Sequence, residues 1–197
     1  MRWLYDHLAP PVIRRKIYTA HARRYVSEFA ERELQFEEAI PCVELGVEHI
    51  ANLQVLTSRE AMISRLPSQG VVAELGVWRG DFSAQILSIT QPSRLYLIDP
   101  WDLLEPAAKK YADFVQQRFE KESLAGQVII RRGYSVAVLE DFDDHHFDWV
   151  YIDSDHTYET TKKELEVCRV KVKPGGIIAG HDYTKGDWKA NGAVWRR

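Results

Sequence analysis

Glu74-Leu75-Gly76-Val77-Trp78-Arg79-Gly80 is the stretch whose reading decides the fold. An apolar run, Val71, Val72 and Ala73, leads straight into it, and Asp81, Phe82 and Ser83 then open a helical pattern continued by Ile86, Leu87 and Ile89. The glycines therefore stand where a strand ends and a helix begins. Glycine suits that place because, lacking a Cβ, it lets the chain bend sharply and approach a ligand closely. A second apolar run, Leu95-Tyr-Leu-Ile-Asp99, ends in a carboxylate about 20 residues beyond the glycines, the spacing of a ribose-binding acid. An ordinary strand-to-helix turn is the other reading of the heptapeptide, since short glycine motifs recur by chance.

Three more apolar runs follow. Val128-Ile-Ile is read as a third strand, Phe147-Asp-Trp-Val-Tyr-Ile-Asp153 as a fourth and Ile177-Ile-Ala-Gly180 as a fifth. In open parallel sheets ligands bind outside the carboxyl ends of the strands. Asp99, Asp153 and Asp182 are thus expected along one rim, with His156 and His181 beside them. Between the second and third strands, Pro106 to Glu122 reads as a helical stretch whose Tyr111, Phe114, Val115 and Phe119 read as core, with a substrate platform as the alternative. The cluster Asp141, Asp143, Asp144, His145 and His146 precedes the fourth strand, which puts it at the opposite edge, in a solvated loop.

The glycine spacing separates two ligand classes. A dinucleotide turn reads G-x-G-x-x-G, whereas Glu74-x-Gly76-x-x-x-Gly80 lacks the third glycine. At this point the chain resembles the class I S-adenosylmethionine (SAM) methyltransferases, whose first motif has this form. The resemblance implies that Glu74, Gly76 and Gly80 lie at the cofactor and that Asp99 takes its ribose hydroxyls. It also implies that Gly133, Tyr134 and Ser135, after the third strand, border the adenine. Trp101, directly after the ribose acid, offers a flat face for the adenine ring. Arg79 is read either as a partner of the cofactor carboxylate or of Glu74, or as a solvated arginine.

Residues 57 to 183 are similar to one branch of these enzymes, the macrocin O-methyltransferase-like group. The match is most specific at Ile152-Asp153-Ser-Asp-His156-Thr-Tyr158-Glu159 and at Lys173-Pro-Gly-Gly-Ile-Ile-Ala-Gly-His-Asp182-Tyr183. The resemblance implies a Mg2+ ion held by Asp153 and Asp182, and His156 as the base. Where relatives carry two consecutive acids after the fifth strand, this chain has His181-Asp182. Independently of any resemblance, magnesium prefers oxygen ligands and commonly takes one or two carboxylates. Bound there, it would fix two substrate hydroxyls and favour loss of a proton from one of them. The unperturbed pKa of histidine, about 6.5, suits His156 to accept that proton. Asp153 and His156 are thus the candidate catalytic pair, with helix-capping roles as their alternatives.

The chain has 197 residues and a formal charge of −3, with a pI near 6.2. That length suits one domain plus an appendage, and the charge gives no sign of a nucleic-acid surface. Cys42 and Cys168 are the only cysteines. With no signal-like segment, these point to a reducing cytoplasm. No apolar run approaches a membrane span of about 20 residues, and no stable membrane association is expected. Residues 1–56 mix a basic early part (Arg14, Arg15, Lys16, Arg23, Arg24) with later glutamates, and read as a helical extension serving as a lid or a dimer arm. Thr57-Ser-Arg-Glu60 has capping-box spacing and begins a helix stopped at Pro67.

The expectation is a Rossmann-like α/β three-layer sandwich, with a mostly parallel sheet in residues 57–197 and a helical N-terminal extension. The C-terminal antiparallel strands are expected to be missing, since only Thr184 to Arg197 follow Tyr183. The expected activity is SAM-dependent O-methylation of a small hydroxylated metabolite or sugar, with Mg2+ as a candidate aid and a homodimer as a candidate assembly. An NAD-dependent oxidoreductase and a non-catalytic cofactor-binding protein are the alternatives.

Overall fold

The computed structural model describes residues 44–101 and 109–181, together with the backbone of 187–190 and 193–196. The chain divides into two compact units, Met1–Asn52 with Lys185–Asp187, and Leu53–Thr184 with Trp188–Arg197. In the first, the described part carries the short helix α1 (Val47–Ile50), which starts at Gly46. Residues 1–43, which hold most of the expected extension, lie outside the described residues.

The second unit runs α2 (Arg59–Ile63), β1 (Val71–Leu75), α3 (Asp81–Thr90), β2 (Arg94–Asp99), α4 (Lys109–Arg118), α5 (Glu120–Leu124), β3 (Val128–Arg132), α6 (Ser135–Glu140), β4 (Phe147–Ile152), α7 (Tyr158–Lys171) and β5 (Val172–Gly180). Its strands form one parallel sheet of order β3-β2-β1-β4-β5. Neighbouring residues on a strand point to opposite faces, so apolar runs buried on both faces need cover on both. Val72, Leu95, Leu97, Trp149 and Tyr151 form one core with residues of α2, α3 and α4. Ala73, Leu75, Tyr96, Ile98, Val150 and Ile152 form the other with residues of α6 and α7. Helices on both faces of a parallel sheet make the expected Rossmann-like sandwich. Strand order reverses between β1 and β4, which is where such sheets open a crevice.

Several local expectations are corrected. The cap of α2 is Ser58, whose hydroxyl accepts the Ala61 N–H at 3.1 Å. Two adjacent hydroxyl residues competed for this position, and the helix begins one residue later than Thr57 as cap would require. It also ends at Ile63, before Pro67 is reached. In α4 and the residue after it, Val115 and Phe119 are core residues as expected, while Phe114 is 43% exposed. Strand β5 begins at Val172, ahead of Ile177, and takes in Lys173-Pro-Gly-Gly176 across a register irregularity opposite Phe147 and Trp149.

The five-stranded sheet stops at β5, but two strands do follow it. β6 (Asp187–Ala190) and β7 (Ala193–Arg196) pair with each other as a separate sheet. Among the described residues no helix is long and apolar enough to cross a membrane. Before β4, Asp144 pairs with Lys171 at 2.9 Å. His146 packs against Tyr96, Phe142 and Phe147, and burial pushes its imidazole down from the ordinary value.

Gly76 joins the two central strands. Its φ of +86° is strained for any other residue, and a Cβ there would collide with the backbone carbonyl of Asp153. Gly76→Ala is therefore expected to lower stability by more than about 2 kcal/mol, since it meets both a backbone clash and a forbidden dihedral. Urea unfolding of the variant beside the parent checks this.

Candidate functional site

Backbone hydrogen bonds continue past the ends of the strands and align their carboxyl termini as one rim. Gly133 N–H donates to the Asp99 carbonyl at 3.1 Å, Gly76 N–H to Ile98 at 2.9 Å, Asp153 N–H to Leu75 at 2.7 Å and His181 N–H to Ile152 at 3.0 Å. Residues far apart in sequence are thereby held side by side. Asp182 lies outside the described residues.

Asp99 fixes the glycine turn. Its Oδ2 accepts the N–H groups of Val77 at 2.8 Å and Trp78 at 2.9 Å, and its Oδ1 accepts that of Trp101 at 2.7 Å. The turn is strained: besides Gly76 and Gly80, Trp78 (φ +49°) and Trp101 (φ +40°) occupy the left-handed region. Non-glycine residues stay there only where surrounding bonds over-determine them, a situation concentrated at functional sites. The indole N–H of Trp101 donates to the Trp78 carbonyl at 2.8 Å.

Below the turn lies a buried polar column. Glu74 and Tyr151 are register partners on β1 and β4, and both are buried on the face that carries α3. Ser83, in the first turn of α3, donates its hydroxyl to Glu74. Loss of solvent pushes the Glu74 carboxyl up to about 8. The Ser83 bond opposes this, the charges of Asp153 and Asp99 add to it, and Arg59 opposes it. The Tyr151 hydroxyl is buried without a well-formed hydrogen bond, and burial pushes it up to about 12. Above it, Phe82 packs 4.4 Å from the Tyr151 ring, and the Arg59 guanidinium lies 4.2 Å from the Phe82 centroid.

Arg59 also meets Asp153 Oδ2 at 3.3 Å. On the other side of that carboxylate, His156 Nε2 and His181 Nδ1 each stand 3.6 Å from Oδ1. His156 has a φ of +61°. It is presented by a tight turn in which Asp155 accepts the Thr157 N–H at 2.9 Å and the Thr160 hydroxyl at 2.8 Å, just ahead of the Thr157 cap of α7.

Two candidate cofactor residues have other partners in the fold. Trp101 is 5% exposed and packs in the core with Val77, Phe82 and Phe119, so its ring offers no free stacking face. Ser135 is buried and its hydroxyl is engaged by Glu164, while Tyr134 beside it is exposed. Glu164 itself is fully buried on α7 and also accepts the Ser154 hydroxyl at 2.8 Å, which ties the loop after β3 to the loop after β4. Burial pushes its carboxyl up.

Arg59, Ser83, Tyr151 and Glu164 are site residues that sequence reasoning missed. Glu164 had a signal, a carboxylate four residues before buried Cys168 on a helix face turned inward. Arg79, a candidate partner for Glu74, instead rests against Trp78 and Phe114. Among the described residues no group of three or more His, Cys, Asp or Glu side chains is arranged to hold a metal ion.

Comparison with known proteins agrees with this geometry. The profile of the family described as a methyltransferase domain matches residues 73–183, more than half of the chain, and the chain belongs to that family. Fold and family together define a class I, SAM-dependent methyltransferase domain. A solved precorrin-6y C5,15-methyltransferase from Geobacter metallireducens GS-15 matches with a TM-score of 0.50 and 18% identity, over 66% of this chain and 65% of that one. An O-methyltransferase family protein from Burkholderia thailandensis matches with a TM-score of 0.45 and 19% identity, over 60% of this chain and 35% of that one. The chain thus spans less than two thirds of either protein, and at 18% identity the first of these likenesses shows the fold alone. No curated protein sequence matches the chain.

Glu74 makes stability depend on pH in a stated direction. Its folded-state pKa is raised, so the folded chain keeps a proton that the unfolded chain loses above about 4.5. That contribution is whole below pH 4.5 and is lost as pH rises toward 8. Stability is expected to fall by roughly 1 kcal/mol per pH unit across this window, and Glu74→Gln to flatten the slope. Urea midpoints measured from about pH 5 to pH 8 for both proteins check the sign.

Proposed function

We propose that this chain transfers a methyl group from SAM to a hydroxyl oxygen of a small hydroxylated metabolite or sugar. The observation that carries the reading is the alignment of Gly76, Asp99 and Asp153 on one rim at the strand-order reversal, with His156 3.6 Å from the Asp153 carboxylate. The macrocin O-methyltransferase-like resemblance and the reducing-cytoplasm reading belong to this proposal.

The donor set suits a cofactor with an anionic carboxylate, cationic ammonium and sulfonium groups and a ribose. Asp99 Oδ1 accepts one N–H and keeps a second acceptor position for a ribose hydroxyl. Arg59 supplies a guanidinium for the carboxylate, and Asp153 supplies negative oxygens for the cationic end. When bound, SAM supplies an electrophilic methyl on a positively charged sulfur. What remains for the protein is alignment of the acceptor oxygen and removal of its proton.

His156 is the acceptor for that proton, and Asp153 steadies the imidazolium formed. With SAM bound, His156 would take the hydroxyl proton, and the cofactor would supply the methyl group to that oxygen, its sulfur keeping the electron pair of the bond given up. The described residues alone do not fit a divalent ion, because the Asp153 carboxylate already faces Arg59 and two imidazoles. Magnesium assistance would require Asp182 as a second carboxylate and is kept as an arm of the test.

Calorimetry with S-adenosylhomocysteine and with NAD, followed by transfer of labelled methyl into hydroxylated acceptors, tests the reading. S-adenosylhomocysteine is expected to bind and NAD to fail. Arg59→Gln should weaken S-adenosylhomocysteine about tenfold or more. His156→Ala should leave that affinity intact and slow turnover roughly 10²-fold. Activity that survives chelation of divalent ions would remove magnesium from the scheme, and label found on nitrogen or carbon would reject oxygen as the acceptor.

A further inference from the structure

Beside the rim stands a group of side chains that the cofactor scheme does not use. Trp78 is 61% exposed although both its N–H and its carbonyl are held in place, by Asp99 and by the Trp101 indole. Its ring meets Tyr111 of α4 edge-on, with centroids 5.9 Å apart. Exposed Phe114 lies further along α4. Between the two exposed rings sits Arg79, its guanidinium 5.8 Å from the Trp78 centroid and 5.7 Å from that of Phe114.

The charges there are unequal. Arg118 flanks Phe114 at 6.0 Å but is neutralised by Asp81 at 2.6 Å, and it donates to the Arg79 carbonyl at 3.2 Å. Among the described residues the Arg79 guanidinium makes no ion pair. A solvent-exposed arginine ordinarily needs no partner, but one held between two exposed aromatic faces offers a paired geometry. The rings present flat apolar surface, and the planar fork of donors presents bidentate affinity for a carboxylate or phosphate. The chain as a whole carries a formal charge of −3, so this cation is not part of a general basic surface.

We propose that Trp78, Arg79, Tyr111 and Phe114 form the acceptor platform, and that the acceptor is a hydroxylated ring compound bearing a carboxylate or phosphate. This rests on the methyltransferase reading above and adds to it the charge and shape of the substrate. The link to the candidate cofactor site is a single hydrogen bond, 2.9 Å long. The N–H of Trp78 is bound by Asp99, the candidate ribose acid, so one locked loop carries both the donor's anchor and the acceptor's ring face. The aromatic pair supports the ring, and Arg79 fixes its anionic substituent, leaving a hydroxyl to be turned toward His156.

The test uses the full chain with three probes, glucose, glucuronate and glucose 6-phosphate, each followed by tryptophan fluorescence and saturation-transfer NMR. At least one of the anionic sugars is expected to bind about tenfold tighter than glucose, the scale of one charge-assisted contact. Comparison of the two anionic arms shows whether carboxylate or phosphate is preferred. The fluorescence response should vanish in Trp78→Phe. The preference for anions should vanish in Arg79→Gln, while affinity for S-adenosylhomocysteine stays within about twofold of the parent. Equal binding of glucose and the anionic sugars, an anion preference that survives Arg79→Gln, or no binding of either anion would overturn the platform. Failure of S-adenosylhomocysteine to bind the parent, with the anion preference and its Arg79 dependence intact, would instead sink the cofactor reading alone.

Discussion

The carboxylate of Asp99 draws three backbone N–H groups onto itself, from Val77, Trp78 and Trp101. Without it, the turn after β1 would hold a strained dihedral at Trp78, and the segment after β2 one at Trp101, with nothing to offset them. An ionised carboxylate is the strongest side-chain acceptor for such N–H groups, because charge-assisted bonds are roughly twice as strong as neutral ones. The same interaction joins the end of β2 to the end of β1, so the glycine turn and the candidate ribose acid are a single structural unit. The start of α3 and the exposed position of Trp78 both follow from that unit.

Buried acids extend the theme on either side of β4. Glu74 lies under the glycine turn with Ser83, and Glu164 lies under the Ser154 loop with Ser135 and Ser154. Each is held by hydroxyl donors rather than by a cation, so burial dominates and the proton is retained more firmly than in water. Asp153, between them, is half open and meets Arg59 instead. Three carboxyl groups around β4 thus differ in environment, which is how neighbouring acids come to serve separate purposes.

Most of the sheet was legible because parallel strands buried on both faces leave near-continuous apolar runs, and each of these ended in a glycine or an acid. The order of the rim followed from the topology that such runs permit. Side-chain destinations were less legible. Trp101 and Ser135 stood at the right sequence positions for cofactor contact, yet the core claimed the indole and Glu164 claimed the hydroxyl. Arg59 was hidden because α2 shows its cap and its apolar residues, while the approach of its guanidinium to Phe82 and Asp153 depends on contacts across the chain.

The backbone bonds that stitch Gly133, Asp99, Gly76, Asp153 and His181 together leave the donor side of the molecule little room to adjust. An engineer seeking a different acceptor would gain nothing by editing that seam, where one added methyl group already collides with main chain. The adaptable positions are those that hang from it by side chain alone, such as Tyr111 and Phe114 on α4. Retargeting the protein is therefore a matter of redecorating a fixed bench, with the tools bolted down and the workpiece holder free to change.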